Sequence, residues 1–234
     1  RQSPRRWLLL ASKALPQCFQ FRVVQKQPQL AALGRASRIV LKVDLGSTEK
    51  EPLLAWADAL IICRLQASAE LLDWLQAARA FNLPCWYEID DLLFDPQHSP
   101  PPLTNYAGRL PPELHRRFVI DQPLITEEMR CCDAVIVSTA TLKERWIALN
   151  TQKTNPQPVV VLPNLAPPDL WSHPLRQRHQ DHGAPLRLVI ASGNSTHLQC
   201  WREELAPALA QLMRRHPTLE LSLLGELRAP LVLL

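Results

Sequence analysis

At 234 residues, 47% of them hydrophobic, the chain can hold one large or two small domains around a true apolar core, which excludes a disordered or fibrous protein. The formal charge is only +4, and apart from the short clusters Arg5-Arg6, Arg116-Arg117 and Arg214-Arg215 the basic residues are scattered. With no aromatics interleaved among them, this balance argues against nucleic acid and suits phosphorylated ligands or an anionic membrane surface.

The chain opens on a basic start followed by the apolar run 7–10, too short for a signal-peptide core or a membrane span, which reads as a first buried strand over 7–11. Further strands are expected over 38–43, 59–63, 85–89, 134–138 and 159–162, alternating with helical patterns over 19–33, 69–81, 123–131 and 140–149. In 69–81 the stripe Leu71, Leu72, Leu75, Ala78 and Ala80 has helical spacing and belongs to a core. The alternation predicts an α/β fold, a parallel sheet with crossover helices. Two regions interrupt it. Segment 95–118, with Pro100-Pro101-Pro102 and Pro111-Pro112, is too proline-rich for a regular element and is expected to be a functional loop. Segment 163–185, with Pro163, Pro167, Pro168, Pro174 and Pro185, reads as a linker.

Beyond it a strand over 186–190 runs into Ala191-Ser192-Gly193-Asn194-Ser195-Thr196-His197. A helix in two pieces follows, because Pro207 belongs in a first turn, and then a strand over 219–224 that ends at Gly225. The expected domains are an N-terminal one over 1–164, a linker over 165–185 and a second one over 186–234. The roughly fifty residues of the last make too small a core to stand alone, so the chain is expected to stop inside a domain.

The six cysteines show no CxxC spacing and no framework, and three fall in or beside apolar strands, as expected of free thiols in a reducing compartment. His179, His182 and Cys200 match no usual zinc spacing, and no metal site is expected. With 22 prolines and 6 glycines there is neither a GxGxxG fingerprint nor a Walker loop, which argues against a dehydrogenase or a P-loop NTPase.

Two stretches carry chemistry. In 85–95 a strand bearing Trp86, Tyr87 and Ile89 runs into Asp90 and Asp91, at the carboxyl end where ligands of open α/β sheets bind. The same acids would also serve as a cap or a solvated turn. Arg64 ends the strand over 59–63 at the same edge, placed to meet a phosphate or to pair with these acids. The second stretch, Gly193 to His197, joins a glycine that permits close backbone approach to small hydroxyl side chains and a helix start, the chemistry of a phosphate cradle or of an ordinary capped turn.

In order along the chain, several segments resemble bacterial GT-B-fold glycosyltransferases of the retaining, nucleotide-sugar-dependent group (family 1/4-like). They are Pro16-Gln17-Cys18 with Phe21-Arg22-Val23, Ala57-Asp58-Ala59-Leu60-Ile61-Ile62-Cys63-Arg64 and Tyr87-Glu88-Ile89-Asp90-Asp91-Leu92-Leu93-Phe94-Asp95. Asn105-Tyr106-Ala107-Gly108, Cys132-Asp133-Ala134-Val135-Ile136-Val137-Ser138-Thr139, Val161-Leu162-Pro163-Asn164, the Gly193–His197 loop and Leu221-Ser222-Leu223-Leu224-Gly225 complete the series. The resemblance implies two Rossmann-like domains, an acceptor side first and a donor side second, with the second truncated. In relatives the strand corresponding to 85–89 often ends in a catalytic-region histidine; Asp90 occupies that end here, so Asp90, with Asp91, is expected to be catalytic on the acceptor side, and Gly193, Asn194, Ser195, Thr196 and His197 are implied as donor-binding residues. Arg64 is a candidate phosphate or acid partner. No cofactor is implied beyond the nucleotide-sugar substrate, and the partners implied are that donor and a glycan or lipid-linked acceptor. The setting implied is cytoplasmic, with peripheral contact at the inner membrane face, although Arg5 and Arg6 equally fit ordinary solubility. The donor loop departs from the pattern in its low glycine content and in Cys200, where relatives often carry a carboxylate. The paired-glutamate segment of the family would lie beyond Leu234, so this stretch alone is expected to be inactive. The alternative is a non-catalytic Rossmann-like interaction module that has lost its donor half.

Overall fold

Three consecutive leucines, Leu8, Leu9 and Leu10, are fully buried on both faces of β1 (Arg6–Ala11), as only a central strand of a two-sided sheet allows. The computed structural model describes residues 5–106, 108–151, 156–166, 185–193, 198–225 and 227–229. Around β1 a six-stranded, all-parallel sheet is built from β2 (Ala36–Leu41), β3 (Ala59–Cys63), β4 (Cys85–Ile89), β5 (Ala134–Val137) and β6 (Val159–Val161). The order is β2-β1-β3-β4-β5-β6, a Rossmann-like α/β arrangement whose direction of winding reverses between β1 and β3.

The sheet's faces are unequally covered. On one, Leu8, Leu10, Leu60, Ile62, Tyr87, Ile89, Val135 and Val137 pack with side chains of α3 (Lys50–Trp56), α4 (Ala69–Ala80), α5 (Pro112–Cys131) and α6 (Ala140–Leu149). Ser68 and Thr139 cap α4 and α6 by accepting from the backbone N–H three residues on, and each stands just after a strand or its loop. The other face has a smaller core, Leu9, Ala11, Val23, Ile61, Cys63 and Ile136. Its cover is α1 (Pro16–Phe19), the π-helical turn Gln20–Val24 and α2 (Lys26–Ala32). Towards the β6 edge this second face opens: Val160, in register with the buried Ile136, is 43% exposed.

By packing the chain forms two compact units, Arg1–Ser99 with Val119–His173, and Pro100–Phe118 with Pro174–Leu234. The second contains β7 (Arg187–Ser192) paired in parallel with β8 (Glu220–Gly225). They are joined through Leu198–Cys200, the π turn Trp201–Leu205 and α7 (Ala206–Arg215), with Pro207 in its first turn as expected. Leu198, Trp201, Ala206, Leu209 and Leu227 form its core.

Segment 95–118 is more regular than its prolines suggest. Leu103–Tyr106 is a 3₁₀ turn, and α5 begins at Pro112, where the missing N–H costs nothing, and continues through Pro123, which lies on its exposed side. The helix is thus 20 residues long rather than the nine of 123–131. Strand β2 ends at Leu41, because Lys42–Asp44 turn into a 3₁₀ helix that leaves Val43 85% exposed.

Candidate functional site

The carboxyl ends of β3 and β4 bring Arg64, Asp90 and Asp91 together. Register places Cys63 beside Glu88, so the residues after each strand leave the sheet side by side. Arg64 takes a left-handed conformation, φ 54°, that turns the chain sharply off β3. Its backbone N–H donates to Glu88 O, and its guanidinium pairs with the Asp90 carboxylate. Nη2 of Arg64 stands 3.8 Å from Oδ2 of Asp91. The Arg64 and Asp90 side chains are 12% and 8% exposed, whereas that of Asp91 is 62% exposed. Burial, the largest single influence, lowers the Arg64 pKa, but the charge and hydrogen bond of Asp90 together with the charges of Cys18 and Asp91 outweigh it and hold the guanidinium above its ordinary value. Ser138 Oγ, at the end of β5, donates to Asp90 O at 3.1 Å and ties this strand end to the next. Cys18, half-buried on α1, completes the group; burial raises its thiol pKa, partly offset by Arg64.

Below this surface group lies a buried one that sequence reasoning missed. Glu88 is fully buried on the thinly covered face, and two cations reach it from the helices above. Nζ of Lys26 donates to Oε1 of Glu88 at 2.8 Å, and Nη2 of Arg22 lies 2.6 Å from the same oxygen. Nη1 of Arg22 donates to Leu162 O at 2.8 Å and to Oδ1 of Asn164 at 3.0 Å. Arg22 sits in the π turn, closed by the Gln25 N–H donating to Gln20 O, and such turns recur at functional sites. Cys63 Sγ lies 3.9 Å from Oε2 of Glu88, and burial pushes its pKa well above the ordinary thiol value. The available signal was a glutamate inside an apolar strand, since a buried charge requires a partner, and Arg22 and Lys26 one helical turn apart beside Val23.

The loop after β4 is fixed by Asp95, also fully buried. Burial pushes its carboxyl up, but hydrogen bonds from Arg145, the Gln97 N–H and His98 outweigh this and bring it down to about 2. These contacts anchor the segment that follows Asp90 and Asp91, with Phe94 packed edge-on against Trp146.

Of the second stretch, Gly193 is described and Asn194, Ser195, Thr196 and His197 lie outside the described residues. Gly193 does not have a positive φ, and a Cβ there would meet no atom of the described residues within 4 Å. Among the described residues nothing therefore demands glycine at this position, in contrast to Gly225.

Among the described residues no group of three or more His, Cys, Asp and Glu side chains could hold a metal ion. An open recess of about 650 Å³, lined by Arg79, Arg130, Asp133 and Gln157 among others, shares no residue with the carboxyl-end cluster and lies by the amino ends of β4 and β5, away from where parallel sheets bind ligands. Comparison with protein-family models, with curated protein sequences and with solved structures finds no match for the chain.

Proposed function

We propose that the chain is a glycosyltransferase, or part of one, of GT-B-like construction, transferring a sugar from a nucleotide-sugar to an acceptor in polysaccharide or glycoconjugate synthesis. The observation that carries this reading is the Arg64, Asp90 and Asp91 group at the carboxyl ends of two neighbouring parallel strands, close to the reversal between β1 and β3. In this reading the acceptor hydroxyl hydrogen-bonds to an Asp90 oxygen, and the carboxylates face the positive charge that builds on the sugar as its bond to phosphate breaks. Arg64 positions Asp90 and limits its rotation. The loop that starts at Gly193 receives the donor diphosphate through backbone N–H groups, which the absence of a side chain leaves accessible. No described helix is long and apolar enough to cross a membrane; in this reading a lipid-linked acceptor is met at the membrane surface.

The test, made on the full-length protein, is release of nucleoside diphosphate from a panel of nucleotide-sugars with mixed glycan and lipid-linked acceptors. Asp90→Asn is expected to lower turnover by roughly 10²–10⁴-fold, the usual worth of a positioned acid or base, with an unchanged circular dichroism spectrum. Undiminished turnover in Asp90→Asn removes Asp90 from the mechanism. The pairing of Arg64 with Asp90 favours a second reading, a non-catalytic Rossmann-like interaction module in which these charges only tie strand ends. Absence of turnover with every donor, together with loss of stability in Asp90→Asn, is the result that this second reading requires.

A further inference from the structure

The Arg22, Lys26 and Glu88 group holds two cations against one carboxylate in a region from which water is nearly absent: the three residues are 3%, 7% and 0% exposed. Among the described residues no second carboxylate pairs with either cation. Asp90 is engaged by Arg64, and Asp91 is 62% exposed, so water screens its charge from the interior. A buried positive excess is costly unless an anion offsets it. The hydrogen bonds are incomplete as well. Nε of Arg22 is buried without an acceptor, and Nη2, although 2.6 Å from Oε1 of Glu88, lacks the alignment of a hydrogen bond. Lys26 donates to Glu88 only one of the three protons an ammonium carries. A guanidinium fork beside an ammonium is the donor set that recognises phosphate or carboxylate. The buried donors lie beside a part of the sheet face that solvent reaches: Arg22 is tied to Leu162 and Asn164, and Leu162 itself is 38% exposed.

We infer that Arg22 and Lys26 form a receptor for one oxyanion, a phosphate or a carboxylate, carried by the acceptor substrate. The assignment to an acceptor rests on the sugar-transfer reading; the oxyanion site itself does not. Binding of the anion completes the donor set and neutralises the excess charge, so an acceptor bearing such a group is held by its anion on the inner side of Asp90.

The test is calorimetric titration of the 234-residue chain with inorganic phosphate at fixed ionic strength, against chloride, with thermal melting alongside. One phosphate site and a higher melting temperature in phosphate are expected, with affinity at least tenfold weaker in Lys26→Gln. Arg22→Lys keeps the charge but not the fork and is expected to show the same loss, which preserves the test if Lys26→Gln does not fold. No phosphate-specific effect in the unsubstituted chain, or equal affinity in both variants, overturns the inference. Glucose 6-phosphate and glucuronate distinguish a phosphate from a carboxylate on the acceptor, and tighter binding of either than of inorganic phosphate supports the assignment. If uridine diphosphate alone binds and Lys26→Gln abolishes it, the anion belongs to a donor and the acceptor assignment fails. Phosphate bound without any nucleotide-sugar leaves this site standing while the transfer reading fails, and the reverse result separates them the other way.

Discussion

Arg64 occupies a backbone region that costs a non-glycine residue about 1–2 kcal/mol, and its guanidinium is spent on Asp90. Strain and ion pair can be separated. Glycine takes φ 54° freely, so Arg64→Gly relieves the strain but leaves Asp90 alone at 8% exposure. We expect a net loss of about 1–3 kcal/mol in denaturant unfolding, since stranding one partner of a buried pair outweighs the relief. The same substitution in an Asp90→Asn background should cost less than about 1 kcal/mol. Equal costs in both backgrounds would mean that the pair contributes nothing. Glu128 of α5 presents the opposite case, a carboxyl that is fully buried with neither oxygen hydrogen-bonded. Burial raises its pKa to about 7, only partly countered by Arg79. Because the folded value lies above the unfolded one, the folded chain holds more protons between about pH 4.5 and about pH 7, and stability falls as pH rises through that window. Glu128→Gln should therefore be more stable than the unsubstituted chain at pH 8 and show a flatter slope below it. A lower melting point for Glu128→Gln at pH 8 would contradict this.

At the scale of elements, β7 and β8 meet so closely at their ends that Gly225 is obligatory: its φ is +82°, and a Cβ would stand 2.1 Å from Ser192 O. Gly225→Ala must shift one strand. It is expected to speed hydrogen exchange at β7 and β8 amides by at least about tenfold, the equivalent of 1.4 kcal/mol, without changing exchange in β1 or β3. Unchanged exchange in β7 would show that the pairing has slack. Much of this element plan could be read from the chain. Strands β3 and β4 and helix α6 fall on their expected residues, because each is a strongly apolar or periodic run with clear punctuation. Helix α3 was missed because its seven residues, with Pro52 in the first turn, are too few to show a period. The first half of α5 was missed because prolines were read as breakers where they are compatible with a helix start or an exposed helical side. For the site, Arg64, Asp90 and Asp91 were visible as strand-end charges. Arg22 and Lys26 were hidden, since long polar side chains in a mixed helical pattern look solvent-facing until a buried acid such as Glu88 is placed opposite them.

At the scale of the molecule, the strand order β2-β1-β3-β4-β5-β6 accounts for where the charges gather. Winding reverses between β1 and β3, so the helices that follow β1 lie on one face and those that follow β3, β4 and β5 on the other, leaving a crevice at the carboxyl ends. The thin cover on the α1 and α2 face lets Arg22 and Lys26 reach Glu88 from one side, while Arg64 and Asp90 close the strand ends. The second unit supplies a βαβ start whose loop begins with a glycine that nothing among the described residues requires. If that glycine is there for a ligand, a side chain in its place must interfere with binding and not with folding. The deciding measurement is calorimetric titration of nucleoside diphosphates and nucleotide-sugars into the full-length protein and into its Gly193→Val variant. One-to-one binding of one nucleotide series is expected, weakened at least about tenfold by Gly193→Val, with the melting temperature unchanged. No binding by any member of the panel, or equal affinity in Gly193→Val, would contradict it.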